Sequence, residues 1–412
     1  MPQAQRLRKL LRTRAVCSAA LLAGLSLAAV AAERAAPSTP AQQPTPAAVE
    51  VRTPQAPSAV AGRDGLAHLA YELHISNFYR SGATLRLRRL QVYADDASAP
   101  LARFEGEALQ RMLGPVEDAD RALAIAGGQR AVVFVWLDLP AGTPAPHSLR
   151  HRIEFSREGG ADEFVDGARV AVAQSAPPVL GAPVRGGRWL VNEGPSNPQS
   201  HHWGSLVASN GRVCIPQRYA LDLVGLDARG HAVRAGVADL RKSRHADWIG
   251  YAAPVLAVAD GVVHSARDGE GEHAPLSPQS EPAALTADGL YGNYVILEIA
   301  PSVFVHYTHL RRGSVAVKAG QRVRRGQTLG TLGQSGSSGG PHLHLHLSDS
   351  AAFEGSEGLP FVFERFDYAG AWSVQQALAA DSALPAAGQA HRLQMPLDND
   401  VVGFDAEPPP SR

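Results

Sequence analysis

The sequence predicts an all-β protein, with an antiparallel β-sandwich followed by a second antiparallel sheet. Glycine and proline are frequent, at 40 and 30 of the 412 residues. Such a composition supplies many turns and favours short strands over long helices. Between the turn residues, polar and apolar side chains alternate with a period of two, which is the pattern of half-buried strands. In the first half of the chain these runs are 70–75, 85–92, 131–137 and 151–155.

The N-terminus has the layout of a secretory signal peptide, which we place at residues 1–32. Its first 14 residues carry five basic side chains and no acidic one, and an apolar run from Ala15 to Ala32 follows. A basic segment, an apolar segment and small residues at the end are typical of a cleaved export signal. The alternative is an uncleaved anchor, but the run is Ala-rich and barely long enough to span a membrane. We therefore expect an exported protein, periplasmic or extracellular, with no stable membrane span after cleavage.

Composition shifts predict the remaining organisation. Residues 33–60 are rich in Ala, Pro, Gln, Ser and Thr and predict a disordered linker. A β-sandwich accessory domain follows over 61–175, and its lack of clustered catalytic residue types suggests packing or binding of a protein partner. A second β-rich domain covers 183–370, and an Ala- and Pro-rich flexible tail covers 381–412.

Charge and cysteine content exclude several classes of protein. Lys plus Arg and Asp plus Glu are both 39, so the formal net charge is zero and nucleic acid is not an expected partner. Two cysteines exclude a disulfide scaffold and a Cys-rich zinc module. Cys17 lies in the predicted signal, and Cys214 reads as a small buried residue.

The histidine residues give the clearest indication of a functional site. His342, His344 and His346 follow a Gly- and Ser-rich turn and alternate with apolar residues. Residues two apart on a strand point to the same face, so these three imidazoles project together and are able to share a metal site. The alternative is a strand whose three histidines simply face solvent. A second run contains His306 and His309, which differ in strand parity, so only one of them is expected to face the site.

A zinc site with an open water position also needs a carboxylate or a further nitrogen. Asp222 lies in an otherwise apolar, strand-like run, where a buried carboxylate needs a compensating partner. A metal is one such partner, and a salt bridge to Arg218 is the other. The adjacent pair His201 and His202 is a second candidate, since one imidazole of an extended pair must point inward. The alternative is that both are exposed polar residues near a loop.

Residues 250–347 resemble the catalytic domain of the lysostaphin-like, LytM-type zinc endopeptidases that cut peptidoglycan peptides. Three pieces match in order. They are the hairpin Ala253–Val263, the block Tyr307–Leu310 with its Gly-Gln turn, and the segment Gly333–His344 ending in Gly-Pro-His-Leu-His. The resemblance is strong over about a quarter of the chain, and it implies an antiparallel peptidase sheet, one Zn²⁺ per chain and peptidoglycan as the substrate partner.

Transferred position by position, the resemblance implies that His344 and Asp222 are zinc ligands. It implies that His309 and His342 are the catalytic histidines. The pattern breaks four residues before Asp222, where the family's histidine is replaced by Arg218, which stays protonated and cannot ligate zinc. His346 also stands where the family has a glutamate.

Two routes would replace the missing ligand. His201 or His202 could reach in from the preceding segment, or His346 could ligate from the strand of His344. We favour the first route, because the family takes its ligands from different strands.

The resemblance therefore predicts a zinc metalloendopeptidase that hydrolyses peptide bonds of peptidoglycan stem peptides or cross-links. One alternative is a degenerate, metal-free domain of the same family that binds cell wall or regulates a partner hydrolase. Another is a carrier hairpin of the lipoyl or biotinyl type, since Gly320 and Gly326 give the matching rhythm. That alternative lacks an evident modified lysine and leaves the histidines unexplained.

Overall fold

The computed structural model describes residues 45–114, 123–157, 159–278, 282, 284–379, 383–384 and 388–404. Strands dominate these residues, and they pair almost entirely antiparallel, which confirms the predicted all-β class. Among the described residues, no helix has the length and apolar character needed to cross a membrane.

The first ten strands build two facing sheets. They are β1 Thr45–Pro46, β2 Val49–Arg52, β3 Val60–Ala61, β4 Ala67–Asn77, β5 Leu85–Ala94, β6 Ala102–Glu105, β7 Ala124–Ile125, β8 Arg130–Leu139, β9 Ser148–Arg157 and β10 Glu163–Ala171. One sheet has the order β1-β10-β9-β5-β6 with β7 beside β5, and the other has the order β2-β4-β3 with β8 beside β4. A short helix α1, Gly106–Arg111, follows β6. Apolar side chains from both sheets form one core, as expected for a sandwich.

The rest of the chain is organised around a ten-stranded sheet. Its strands and those of three small two-stranded sheets are β11 Val179–Leu180, β12 Arg188–Asn192, β13 Val207–Ser209, β14 Arg212–Cys214, β15 Leu221–Leu226, β16 Pro254–Leu256, β17 Gly261–Arg267, β18 Asn293–Ala300, β19 Val303–Leu310, β20 Arg322–Val323, β21 Thr328–Thr331, β22 Leu343–Ser348, β23 Val362–Phe363, β24 Phe366–Ala371, β25 Gln389–His391 and β26 Asp400–Gly403. The large sheet has the order β20-β17-β18-β19-β22-β15-β12-β26-β24-β25. Helices α2, Ala287–Leu290, and α3, Val374–Leu378, and the 3₁₀ turns Leu240–Lys242 and His245–Asp247 lie in its connections.

Two predicted flexible segments are shorter than expected. The predicted linker over 33–60 is wrong for its last part, because β2 pairs with β4 and the side chains of Val49 and Val51 pack on the sandwich core. The predicted tail over 381–412 is wrong for β25 and β26, which pair with β24 of the large sheet. The isolated valines of these segments gain burial only through pairing with distant strands, which composition does not reveal. Residues 1–44, including the predicted signal peptide, and 405–412 lie outside the described residues.

Strand β4 connects the sandwich to the large sheet. Its side chains are buried on both faces over most of its length. Leu69, Tyr71 and Leu73 face the sandwich core, whereas Ala70 belongs to the core of the large sheet. The two sets of sheets therefore share a buried boundary, and the described residues belong to one compact unit.

A buried histidine in the sandwich makes stability depend on pH. His151 on β9 donates from Nδ1 to the carbonyl of Ala168 and accepts from the Tyr71 hydroxyl at Nε2, at 2.6 and 2.8 Å. Burial lowers the pKa of His151 to about 4. The unfolded chain binds a proton at this side chain below about pH 6.5 and the folded chain does not, so stability falls as the pH drops from about 6.5 to 4.

We expect His151→Gln to remove this part of the pH dependence, because glutamine stays neutral. At pH 5, protonation of His151 in the unfolded chain lowers the free energy of unfolding by about 2 kcal/mol. This figure follows from the difference between the pKa of His151 in the unfolded and in the folded chain. Urea unfolding at pH 7.5 and pH 5 measures it as the loss of stability between the two conditions. An equal loss in the wild type and the variant would refute the assignment, since all other titrating groups are common to both.

Candidate functional site

Three adjacent strands of the large sheet bring the candidate site together. β15 pairs with β22 so that Asp222 lies opposite His344, and β22 pairs with β19 so that His344 lies opposite Thr308. Residues directly opposite in antiparallel strands share a face of the sheet. The carboxylate of Asp222 and the imidazole of His344 are therefore neighbours, with 3.0 Å between Oδ1 and Nδ1.

A single carboxylate oxygen is the centre of this cluster. Besides His344, Oδ1 of Asp222 lies 3.3 Å from Nε2 of His342 and 3.5 Å from Nε2 of His202. Burial opposes ionisation of this carboxyl group, but the adjacent His342 and His202 hold the pKa of Asp222 well below its usual value. Three imidazole nitrogens around one ionised oxygen form a nitrogen and oxygen donor set of the kind that zinc prefers.

His202, rather than His201, completes the buried cluster. The His202 side chain is 2% exposed, and its Nδ1 donates to the carbonyl of Glu193 at 2.8 Å. Its Nε2 is buried and has no hydrogen-bond partner. The side chain of His201 is 65% exposed and pairs with the Glu193 carboxylate. Ligand atoms of His201, His202 and Asp222 do lie within 4.8 Å of one another, so both histidines are near the carboxylate.

Arg218 does not contribute to the cluster. Its guanidinium donates to the carboxylates of Glu72, at 2.7 Å, and of Glu357, at 2.9 Å. The alternative of a salt bridge between Arg218 and Asp222 is therefore wrong. The same Glu72 accepts from the indole nitrogen of Trp203 at 2.6 Å. Glu72 on β4 thus accepts hydrogen bonds from both Arg218 and Trp203. Trp203 is the residue that follows His202.

His309 enters the site through an irregular end of β19. Its φ is +60°, in the left-handed region that is uncommon for residues other than glycine. The pairing of β18 with β19 also shifts register near this point. Its Nδ1 donates to the carbonyl of Ser335 at 2.8 Å, and its ring centroid is 4.9 Å from that of His342.

His306 and His309 take different positions relative to the cluster around Asp222. His306 follows regular alternation and stacks on His346, with ring centroids 4.2 Å apart. His309 lies against His342 and His344 because its backbone leaves the regular strand conformation. Strand parity holds only while the strand is regular.

Comparison with known families finds a match for part of the second half of the chain. Residues 248–354 match the profile described as Peptidase family M23. This segment resembles the M23 peptidases. The matched segment includes His309, His342 and His344, whereas Asp222 and His202 precede it. The match therefore begins after the stretch in which Arg218 replaces the expected histidine.

Similarity to individual proteins covers short parts of the chain. The chain is 46% identical over 56 residues to the peptidoglycan DD-endopeptidase ShyC of Vibrio cholerae, which is 14% of this chain and 12% of that protein. It is 43% identical over 56 residues to the peptidoglycan DD-endopeptidase ShyA of the same organism, which is 14% of this chain and 13% of that protein.

Solved structures show weak overall similarity. A putative peptidase M23 from Pseudomonas aeruginosa is 16% identical with a TM-score of 0.24, and the alignment covers 76% of this chain and 94% of that one. A zinc-containing peptidase from Vibrio cholerae is 17% identical with a TM-score of 0.21, over 73% of this chain and 81% of that one. TM-scores this low do not define a common arrangement of the whole chain.

Several residues around the candidate site could not be identified from the sequence. Gln217 lies 3.0 Å from Nε2 of His344 through its side-chain amide. For Glu72 the sequence gives a weak indication of a special role, since it is a charged residue within a run of apolar strand residues. Tyr291 carries no signal, because its contacts with His306 and His346 depend on the pairing of strands far apart in the sequence.

Proposed function

We propose that this protein is a zinc-dependent endopeptidase that hydrolyses peptide bonds in the stem peptides or cross-links of peptidoglycan. The observation that carries the proposal is the convergence of three histidine nitrogens on one buried oxygen of Asp222, at the edge of an M23 domain. Because the M23 match covers only part of the chain and of its relatives, the activity of the whole protein is part of this proposal.

The donor atoms of the cluster fit a zinc ion. Asp222 supplies a carboxylate oxygen, His344 supplies Nδ1, and His202 supplies an Nε2 that is buried without a hydrogen-bond partner. An unpaired nitrogen in a buried site is costly unless something binds it, and a metal ion is one solution. We assign these three residues as the ligands, with His202 in the role that Arg218 cannot fill.

His309 and His342, which lie beside the proposed ligands, would accept and donate protons during the reaction. Each donates from Nδ1 to a backbone carbonyl, of Ser335 and Gly340 respectively, both at 2.8 Å. These bonds fix the Nδ1–H form and leave Nε2 as the atom that exchanges a proton with water or with the leaving amine. When bound, zinc supplies Lewis acidity, which polarises the peptide carbonyl and makes water more acidic.

The substrate class is inferred from the relatives. Two of them, which match this chain over 56 residues each, are named peptidoglycan DD-endopeptidases. Peptidoglycan lies outside the cytoplasmic membrane, so the proposal also requires export, to the periplasm or beyond. The basic and apolar N-terminal segment predicted as a signal peptide agrees with that location.

Zinc content and peptide release test the proposal. We expect about one zinc per chain in the purified protein, and release of peptide products from isolated peptidoglycan sacculi that stops on adding a chelator and returns with zinc. Zinc content is read by elemental analysis, and products by chromatography. A wild type that binds no zinc from excess metal would contradict the proposal.

We expect His202→Ala and His201→Ala to behave differently. Loss of His202 removes a ligand, so zinc content and peptide release should both fall, with an affinity loss of more than about 10-fold. Loss of the exposed His201 should leave zinc content unchanged. The His201 variant is the matched control, because it removes the same side chain from the adjacent position. Loss of zinc in the His201 variant alone would assign the third ligand to His201 and refute our assignment.

The second candidate function is that of a metal-free domain that binds cell wall or regulates a partner hydrolase. The buried pairing of Arg218 with Glu72 and Glu357 favours it, because this position no longer offers a ligand. A wild type without zinc that still sediments with sacculi would establish this alternative.

A further inference from the structure

A cleft of about 510 Å³ lies between the sandwich and the strands that follow it. One wall comes from the sandwich, and the other comes from the turn between β13 and β14 together with Glu357. We call it the arginine cleft, because Arg52, Arg130, Arg169 and Arg212 line it. The proposed zinc ligands are not among its lining residues, so the arginine cleft is separate from the candidate metal site.

Strand pairing places polar groups of the sandwich on the wall of this cleft. β2 and β8 both pair with β4, which sets Ser76 between Glu50 and Arg130 in one row. In the next row, His74 lies opposite Arg52. Residues opposite each other in antiparallel strands share a face of the sheet. The intervening residues of β2 and β4 pack on the sandwich core, so period-two alternation directs this polar face away from that core.

Two of the four arginines have no acidic partner in the part of the chain that the structure describes. Arg130 donates from Nε to the Ser76 hydroxyl at 3.1 Å, which leaves its terminal nitrogens for other acceptors. Arg212 is exposed and forms no ion pair with a described residue. Arg169, in contrast, pairs with Asp96 at 3.0 Å. Because Arg130 belongs to β8 and Arg212 to β14, each wall of the cleft carries an uncompensated positive charge.

The two carboxylates that line the cleft are already neutralised. Glu50 accepts from the guanidinium of Arg52 at 2.7 Å, and Glu357 accepts from that of Arg218 at 2.9 Å. Each of these acidic groups is therefore compensated by its own arginine. The net charge that a ligand meets in the cleft is positive.

His74 adds a buried polar group to the same cleft. Its side chain is 6% exposed, it lines the cleft, and its ring makes no hydrogen bond to any described residue. Burial lowers the pKa of His74, so the ring is neutral near pH 7 and has one N–H to donate. Buried polar groups normally have a partner, so a ring that faces a cleft without one points to a bound ligand.

We propose that the arginine cleft binds an acidic peptide through two carboxylates, one at Arg130 and one at Arg212. A guanidinium binds a carboxylate through two parallel, charge-assisted hydrogen bonds. A ligand with two carboxylates gives each of these arginines its own partner. The N–H of His74 is a further donor, which suits a carbonyl of the peptide backbone.

We assign the stem peptides of peptidoglycan as the source of this ligand, since they carry free carboxylates. This assignment rests on the proposed function, which supplies peptidoglycan as the substrate. The arginine cleft then gives the protein a second contact with the polymer, outside the metal site. Two linked contacts raise the overall affinity for a polymer, because the second forms at a high effective concentration.

Isothermal titration calorimetry of metal-free protein with a synthetic stem peptide tests the proposal. The control ligand is the same peptide with every carboxylate amidated. We expect one binding site for the acidic peptide and no binding of the amidated one. The affinity should fall as salt is added, because ions screen exposed charges. Metal-free protein is used so that the peptide does not bind through zinc.

Arg130→Gln and Arg212→Gln should each weaken binding of the stem peptide by about 10-fold, since each removes a charge-assisted contact. Arg88→Gln is the matched control. Arg88 is exposed and donates from Nε to the hydroxyl of Ser156 at 2.7 Å, much as Arg130 donates to Ser76, but it lies outside the arginine cleft. We expect the Arg88 variant to bind the peptide like the wild type.

Two results would overturn the inference. One is equal affinity in the wild type, Arg130→Gln and Arg212→Gln. The other is binding of inorganic phosphate, or of a tetrapeptide of L-aspartate, without binding of the stem peptide. Failure of the proposed function is distinguishable, because Asp222→Asn should bind the stem peptide like the wild type. A wild type that binds this peptide in the cleft but binds no zinc would support the inference and refute the peptidase.

Discussion

Asp222→Asn is expected to abolish zinc retention and peptide release from sacculi. Asparagine keeps the size of the side chain and an oxygen that can accept, but it removes the negative charge on which His202, His342 and His344 converge. Replacing the partner of a metal ligand costs 10- to 100-fold in metal affinity, so loss of a charged ligand should exceed about 100-fold. Competition with a chelator of known affinity measures the change.

The control for this prediction is Asp227→Asn. Asp227 follows the same strand and accepts from the backbone nitrogens of Arg229 and His231, so its carboxylate has a local role in a turn. We expect this variant to retain zinc and activity. An Asp222→Asn protein that keeps one zinc per chain with near wild-type affinity would refute the ligand assignment. Equal thermal unfolding of the two metal-free variants would show that the loss is not one of folding.

The parts of the site that obey strand periodicity could be predicted from the sequence. Alternation places His342, His344 and His346 together, and an acidic residue in an apolar strand identifies Asp222. In the structure, register adds the detail that Asp222 lies opposite His344. The period-two rule needs only local regularity, and it holds wherever the strands are regular.

The remaining parts depend on irregular backbone or on distant pairing. His309 turns into the site through a positive φ at a strand end, which no pattern of residue types indicates. The choice between His201 and His202 depends on a turn that buries one ring and exposes the other. The partner of Arg218 is Glu72, 146 residues away, and contacts at that separation are set by the packing of whole sheets.

Glu72→Ala is expected to give the largest loss of stability. Glu72 and Arg218 are both nearly fully buried, and the carboxylate accepts from the guanidinium and from the Trp203 indole. Removing one partner leaves a buried charge with incomplete compensation, since only Glu357 remains. Such losses cost about 3–5 kcal/mol. Urea unfolding measures the change, and Glu50→Ala, at the exposed pair with Arg52, should leave the transition unchanged.

The double variant Glu72→Leu with Arg218→Met separates loss of charge from loss of packing. Replacing a buried ion pair by apolar residues is often neutral, so this protein should be much more stable than Glu72→Ala. It should still bind zinc more weakly than the wild type, because Trp203 loses its acceptor and His202 is its neighbour. If Glu72→Ala unfolds like the wild type, the ion pair does not hold the sandwich against the large sheet. If Glu72→Ala is destabilised and the double variant binds zinc more weakly, the sandwich supports the proposed metal site by fixing Trp203, the residue next to His202.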